Sequence, residues 1–161
     1  PQFGANCFLA DNAAVIGEVI MGENCTVWFN AVVRGDVNSI TIGNNTNIQD
    51  GAIIHGTFEK AKTVIGNNVS IAHNAVVHGC TVEDNVLIGI GAIILDGTVV
   101  GANSVVAAGA VVLPGTQIPP GSVFAGVPAK KVKDIGDDMK AVIVRTARNY
   151  PMYADWFRDI E

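Results

Sequence analysis

The chain has three histidines, His55, His73 and His78, in a short stretch that also carries Asp50, with Arg34 and Asp36 just upstream. Neutral imidazole is a common zinc ligand and a general base near neutral pH, so a trio of this kind supports two chemistries. Three imidazoles on one Zn²⁺ leave the fourth tetrahedral position to water, whose pKa then falls to about 7. A histidine acting as general base needs no metal, only a substrate proton within hydrogen-bond reach. Scattered histidines ordinarily decorate a surface, so the spacing has meaning only through the elements that hold them.

A period of six supplies those elements. Apolar residues recur at Leu9, Val15, Met21, Val27 and Val33, then at Ile42, Ile48 and Ile54, then at Ile65, Ile71 and Val77. A last run comprises Val82, Ile88, Ile94, Val100, Val106, Val112, Ile118 and Phe124. Four residues after most of them stands a small or β-branched residue, such as Ala13, Val19, Cys25, Ala31 or Ala52. Neither the helical period nor strand alternation gives a strict six. A short strand followed by a corner does: the large residue fills the interior and the small one fits the corner. Three such sides close a triangular coil, and coils stack at roughly 4.8 Å, the spacing of hydrogen-bonded strands. The expected fold is all-β: a parallel β-helix of triangular section over residues 1–128, with a C-terminal helical segment over 129–161 packed alongside. A β-sandwich with accidental spacing is the alternative.

The register breaks three times. The step from Val33 to Ile42 is nine residues, from Ile54 to Ile65 eleven, and from Val77 to Val82 five. The second break predicts a protruding loop near Thr57–Thr63, and the third a tight turn at His78-Gly79-Cys80. Beyond the hexads, Met139, Val142, Ile143, Thr146, Ala147 and Tyr150 follow helical spacing, with Asp137 or Asp138 as a cap. Pro151 is expected to kink or end that helix, and Tyr153, Ala154, Phe157 and Ile160 to continue a second segment.

Sides repeat every third hexad, which places the histidines. One outward column reads Arg34, His55, His78, Leu95, so His55 and His78 are neighbours on adjacent coils with Arg34 one rung away. On the next face the columns read Trp28, Gln49, Ala72, Gly89 and Phe29, Asp50, His73, Ile90, with Asp50 beside His73. Faces of a triangular prism point apart, so His73 is not expected to reach an ion held by His55 and His78 of its own chain. A neighbouring subunit supplies it if three chains form a ring in which the first face of each meets the second face of the next. The expected assembly is a homotrimer with one zinc per chain. Asp50 orients His73, and Arg34, Asp36 and Asp50 form an ion-pair network across the contact. Trp28 and Phe29 either line a pocket near Gln49 or fill that contact.

Bulk properties exclude other classes. The net charge is −5 and the basic residues cluster only at Lys130, Lys131 and Lys133, read as a solvated exit segment, which argues against nucleic acid. Cys7, Cys25 and Cys80 form no CxxC and no paired framework, which favours a reducing, cytoplasmic setting. Cys80 reads as a small residue in a tight turn. Mean hydropathy is +0.37. The most apolar stretch, Val99–Leu113, is too short and too interrupted to span a bilayer. No signal peptide is visible, although a chain that starts at Pro1 leaves a removed leader open.

Arg34-Gly35-Asp36, the run Ile42-Gly43-Asn44-Asn45-Thr46-Asn47-Ile48-Gln49-Asp50, His55-Gly56 and the segment from Ala72 to Cys80 together resemble the γ-class carbonic anhydrases. The likeness spans essentially the whole β-helix and the terminal helix. The hexads and the exit sequence Gly126-Val127-Pro128-Ala129-Lys130 are shared with hexapeptide acyltransferases; the ordered acidic, amide and histidine motifs are the specific part. The resemblance implies a left-handed helix, a trimer, and zinc (alternatively iron or cobalt) at each interface, with His55, His73 and His78 as ligands. It further implies Arg34, Asp36 and Asp50 as interface ion-pair residues and Gln49 as a hydrogen-bonding group near the metal-bound water. Tyr150, in an Asn149-Tyr150 pair, is implied to approach the site. The implied reaction is reversible hydration of CO2 to bicarbonate by metal-bound hydroxide.

Active members of that family carry a Glu soon after the R-x-D and a Glu-bearing loop that exports protons. Here Val37 follows Asp36 and the loop offers only Glu59, so turnover limited by proton transfer is expected. Two other readings stay open. One is a coenzyme A-dependent acyltransferase or thioesterase with a histidine base and no metal. The other is a non-catalytic trimeric metal-binding scaffold.

Overall fold

Most hexads supply a strand of two or three residues, too short to stand alone, so the chain gains most of its strand hydrogen bonds by stacking one coil on the next. The computed structural model describes residues 1–158. On one face Val27 pairs with Ile48, Ile48 with Ile71 and Ile71 with Ile88. On the adjoining face Val33 pairs with Ile54, Ile54 with Val77 and Val77 with Ile94. The third carries Met21, Ile42, Ile65 and Val82 in the same way. All of these ladders are parallel, and the fold is the expected left-handed hexapeptide-repeat β-helix with one C-terminal helix. Val27, Val33, Ile48, Ile54, Ile71, Val77, Ile88 and Ile94 are wholly enclosed in a single stacked core.

The corners use a residue the period of six does not reveal. Asn24, Asn45, Asn68, Asn85 and Asn103, each just before a small corner residue, adopt φ of 54–57°. Asparagine tolerates that left-handed conformation better than other residues with a Cβ. The side chains also stack, with Asn24 donating to Asn45, Asn45 to Asn68 and Asn68 to Asn85 at 3.3, 3.2 and 3.1 Å.

The breaks in register become distinct shapes. The nine-residue step is one long strand, Val32–Ile42, that runs around a corner. The eleven-residue step is a loop closed by an isolated bridge between Thr57 and Ala61. After Ser122–Ala125 the chain reverses, and Lys130–Asp134 pairs antiparallel with it. The three lysines of the solvated exit segment therefore sit on an exposed edge strand.

The helix spans Asp137–Arg158. Asp137 and Asp138 lie in its first turn, where their charge meets the positive end of the helix dipole. The helix does not end at Pro151. Packing on both sides of the proline holds it: Ile143 and Ala147 are buried before it and Ala154 after it. Ile160 lies outside the described residues. Trp28 is covered by rings of its own chain, Phe8 at 5.2 Å, Tyr150 at 5.5 Å and Phe157 at 5.7 Å, rather than left to fill a subunit contact. No helix among the described residues is long and apolar enough to cross a membrane.

The three faces thus differ. The Val27–Ile48–Ile71 face lies under the helix. The adjoining face carries an outward column, Val32, Ile53, Val76, Ile93 and Val111, in register from coil to coil and partly or fully exposed. The core makes a direct prediction. Ile71→Ala, in a middle coil, should cost about 2–5 kcal/mol in denaturant unfolding. Leu9→Ala, in a coil end where the side chain is 37% exposed, should cost clearly less. Equal losses would contradict a stack whose tightest packing is central.

Candidate metal centre

The strands Ile53–His55 and Val76–His78 lie in register, which sets His55 directly over His78. Their rings meet at an angle of 61°, with His55 Nδ1 3.2 Å from His78 Nε2. The far side of each ring is engaged by a carboxylate. His55 Nε2–H donates to Asp36 Oδ1 at 2.9 Å, and His78 Nδ1–H donates to Asp96 Oδ1 at 2.6 Å. With both N–H groups so directed, the two nitrogens that face each other are both acceptors. Two lone pairs at this distance repel unless a proton or a cation lies between them. Two nitrogens at about 2.1 Å from one tetrahedral zinc would stand about 3.4 Å apart, so the pair has the bite of such an ion.

Arg34 pairs with Asp36 within the chain. The hydrogen bond from His55 holds the Asp36 carboxyl below the usual carboxylate range, against partial desolvation and with help from Arg34. Burial pushes the Asp96 carboxyl up, but hydrogen bonds from Thr57 and His78 more than offset it and leave it lowered.

His73 stands apart. It lies in the corner turn that leads into Val76–His78, not on the flat of a face. Its Nδ1 is 3.0 Å from Asp50 Oδ2. Among the described residues no three His, Cys, Asp or Glu side chains converge to hold a metal. The chain therefore brings His55 and His78 together and leaves His73 at the other edge of the same apolar face. Within the chain Asp50 is with His73 and Arg34 with Asp36.

Gln49 is buried and donates to Asn47 at 3.0 Å, and Asn47 donates to Ser70 at 2.8 Å. Tyr150 sits edge-on to Trp28. Burial, with added repulsion from Asp50 and Tyr153, pushes its phenol up to about 12. Trp28, Phe29, Asp50, Tyr150, Tyr153 and Trp156 border an open cavity of about 320 Å³ on the His73 side.

Sequence reasoning missed Asp96. A signal was present: two residues after the face anchors Val33, Ile54 and Val77 stand Gly35, Gly56 and Gly79, whereas Asp96 takes that place after Ile94. A carboxylate that follows three glycines in its column marks a side chain placed to reach a neighbouring coil.

The chain matches the family model described as bacterial transferase hexapeptide (six repeats) over residues 1–35 and 79–114. It is 43% identical over 155 residues to gamma carbonic anhydrase 2, mitochondrial, of Arabidopsis thaliana, across 93% of this chain and 56% of that protein. It thus spans little more than half the length of this plant relative. It is 39% identical over 161 residues to a carbonic anhydrase of Geobacillus kaustophilus, across 100% of this chain and 88% of that one. A solved structure, a hexapeptide transferase family protein from Anaplasma phagocytophilum, is 34% identical with a TM-score of 0.93, covering 98% of this chain and 92% of that chain.

The cysteines allow a test of the site's surroundings. Burial pushes the thiols of Cys25 and Cys80 up to about 12. Neither is then a thiolate at neutral pH, and only thiolates alkylate quickly. Iodoacetamide at about pH 8 should label Cys7, the partly exposed one, and spare the other two until the protein is denatured. Rapid labelling of Cys80 in native protein, read by peptide mass spectrometry, would contradict this packing behind His78.

Proposed function

The chain belongs to the γ-class carbonic anhydrase family, and we propose on that premise that it hydrates CO2 reversibly to bicarbonate at a metal site shared between subunits of a homotrimer. The observation that carries the proposal is the pair of facing acceptor nitrogens on His55 and His78, 3.2 Å apart and each backed by a carboxylate. Zinc held by three imidazoles is a Lewis acid that ionises water near neutral pH.

The third imidazole comes from symmetry. His73 and the His55–His78 pair occupy opposite edges of the face that carries the exposed column Val32, Ile53, Val76, Ile93 and Val111. An apolar patch of that kind on a soluble chain favours burial against a partner. Turning this face toward a threefold axis brings the His73 edge of one chain to the His55–His78 edge of the next. Ile53 at 43% and Ile90 at 56% exposure lose that exposure in the same contact.

The remaining residues act around the metal. Asp36 and Asp50 fix the ring tautomers of His55 and His73, and Arg34 balances the charge of Asp36. Gln49 and Tyr150 belong to the side that contributes His73. The raised phenol keeps Tyr150 protonated, so it serves as a hydrogen-bond donor and not as a base. Proton export is the weak step. Val37 offers no carboxylate, and Glu59 is the only acid of the Thr57–Thr63 loop. Free thiols at Cys7, Cys25 and Cys80 support a reducing, cytoplasmic setting as part of this reading. A second reading, acyl transfer with a histidine base, is favoured by the likeness to a structure named for a hexapeptide transferase family.

Two experiments test the proposal. Purified protein should hold about one zinc per chain, and His78→Ala and His73→Ala should each lose most of it. Heterotrimers mixed from the two variants should regain metal, because some interfaces then draw all three ligands from intact positions. Absence of regain in any mixture would remove the shared site. CO2 hydration should be modest at low buffer and rise with imidazole concentration. A zinc-loaded trimer inert toward CO2 but active on an acyl-coenzyme A would favour the second reading.

A further inference from the structure

We propose that Asp96 is a positioning residue for His78, seated by the Thr57 loop and by the gap at Gly79, and that it fixes which nitrogen of His78 is free. Asp96 Oδ1 accepts His78 Nδ1–H at 2.6 Å, and its other oxygen accepts the Thr57 hydroxyl. A carboxylate held at both oxygens cannot rotate, so the imidazole is held in turn. The proton stays on Nδ1, and Nε2 points at His55. Asp36 does the same for His55 but is more exposed, at 40% against 26% for Asp96.

Two of the register breaks meet at this carboxylate. The five-residue step puts Gly79 over it with φ +55°, and a Cβ there would come within 2.6 Å of Asp96 Oδ1 and 2.9 Å of Ala61 Cβ. Any side chain at this position would displace the acid or the loop. The eleven-residue step supplies both Thr57 and Ala61. Thr63 then ties the loop to the turn: its hydroxyl donates to the His55 carbonyl and accepts Gly79 N–H at 3.0 Å.

The affinity arm of the test rests on the metal reading above; the tautomer arm does not. Asp96→Leu keeps the branched skeleton, with bulkier methyls, and removes the acceptor, while Asp96→Asn keeps an acceptor oxygen. The tautomer of His78 is read by imidazole-nitrogen NMR on metal-free protein at about pH 8.5, and zinc affinity by competition with a chelator. Wild type should carry its proton on Nδ1. Asp96→Leu should move it largely to Nε2 and weaken zinc about 10- to 100-fold. Asp96→Asn should keep the Nδ1 proton and most of the affinity. If Asp96→Leu does not fold, Thr57→Val decides, with a smaller shift in the same direction expected. An unchanged tautomer and an unchanged zinc affinity in the folded variant overturn the proposal. Wild type that binds no zinc, yet shows the tautomer change, rejects the metal reading and upholds the role of Asp96.

Discussion

The step of roughly 4.8 Å between hydrogen-bonded coils is the constraint on which the rest of the molecule depends. It makes sequence distance into spatial identity: whatever stands at one position of a hexad stands directly above its counterpart three hexads away. Identical or complementary groups therefore stack whether or not they attract. Where they are asparagines they form a donor–acceptor ladder from Asn24 to Asn85. Where they are imidazoles, the same geometry forces two rings to a separation neither would choose alone. The fold places His55 and His78 together with no further backbone ordering, because the strands that carry them are already fixed by stacking.

A triangular prism also has to dispose of three outer surfaces, and the chain treats each differently. One is covered by its own helix through Ile143, Ala147 and Ala154 and through rings gathered over Trp28. One alternates Ile20, Val64 and Val99 with Thr41, Thr81 and Gln117 in its outward column. The third presents valine and isoleucine in a continuous column, flanked on its two edges by histidines. Leaving such a column in water is unfavourable by the usual area argument, so the surface that favours a partner is also the surface edged by the three histidines. Assembly and site formation are then one event in the proposed trimer.

Much of this was legible in the residues because period six is unambiguous. The anchors, the faces, the His55–His78 neighbour pair and the Thr57–Thr63 loop all follow from counting. What counting could not reach depended on side-chain direction or on local backbone. Asp96 lies off the outward column and reaches back toward the previous coil, so column-reading passed over it. His73 falls on a corner, where counting set it beside Asp50 and apart from His55 and His78 but did not set which way its ring turns. The strand Lys130–Asp134 has no periodic signal, being a single antiparallel addition to an edge. The helix runs past Pro151 because packing of Ile143 and Ala147 before it and Ala154 after it outweighs one missing hydrogen bond.

The carboxylate behind each imidazole has a consequence for the proposed chemistry. An acceptor on the far N–H raises the basicity of the nitrogen that faces the metal, which tightens binding. More electron donation also makes the metal a weaker Lewis acid, so holding power and reactivity pull in opposite directions. Asp36, Asp50 and Asp96 all donate in this sense, and Arg34 opposes only Asp36. A centre so arranged is built for firm retention first. With Val37 in place of an acid and a single glutamate in the loop, the chain has invested little in moving protons quickly. For the proposed centre both features point the same way: a well-held metal would work at a rate set by how fast buffer can carry a proton to and from it.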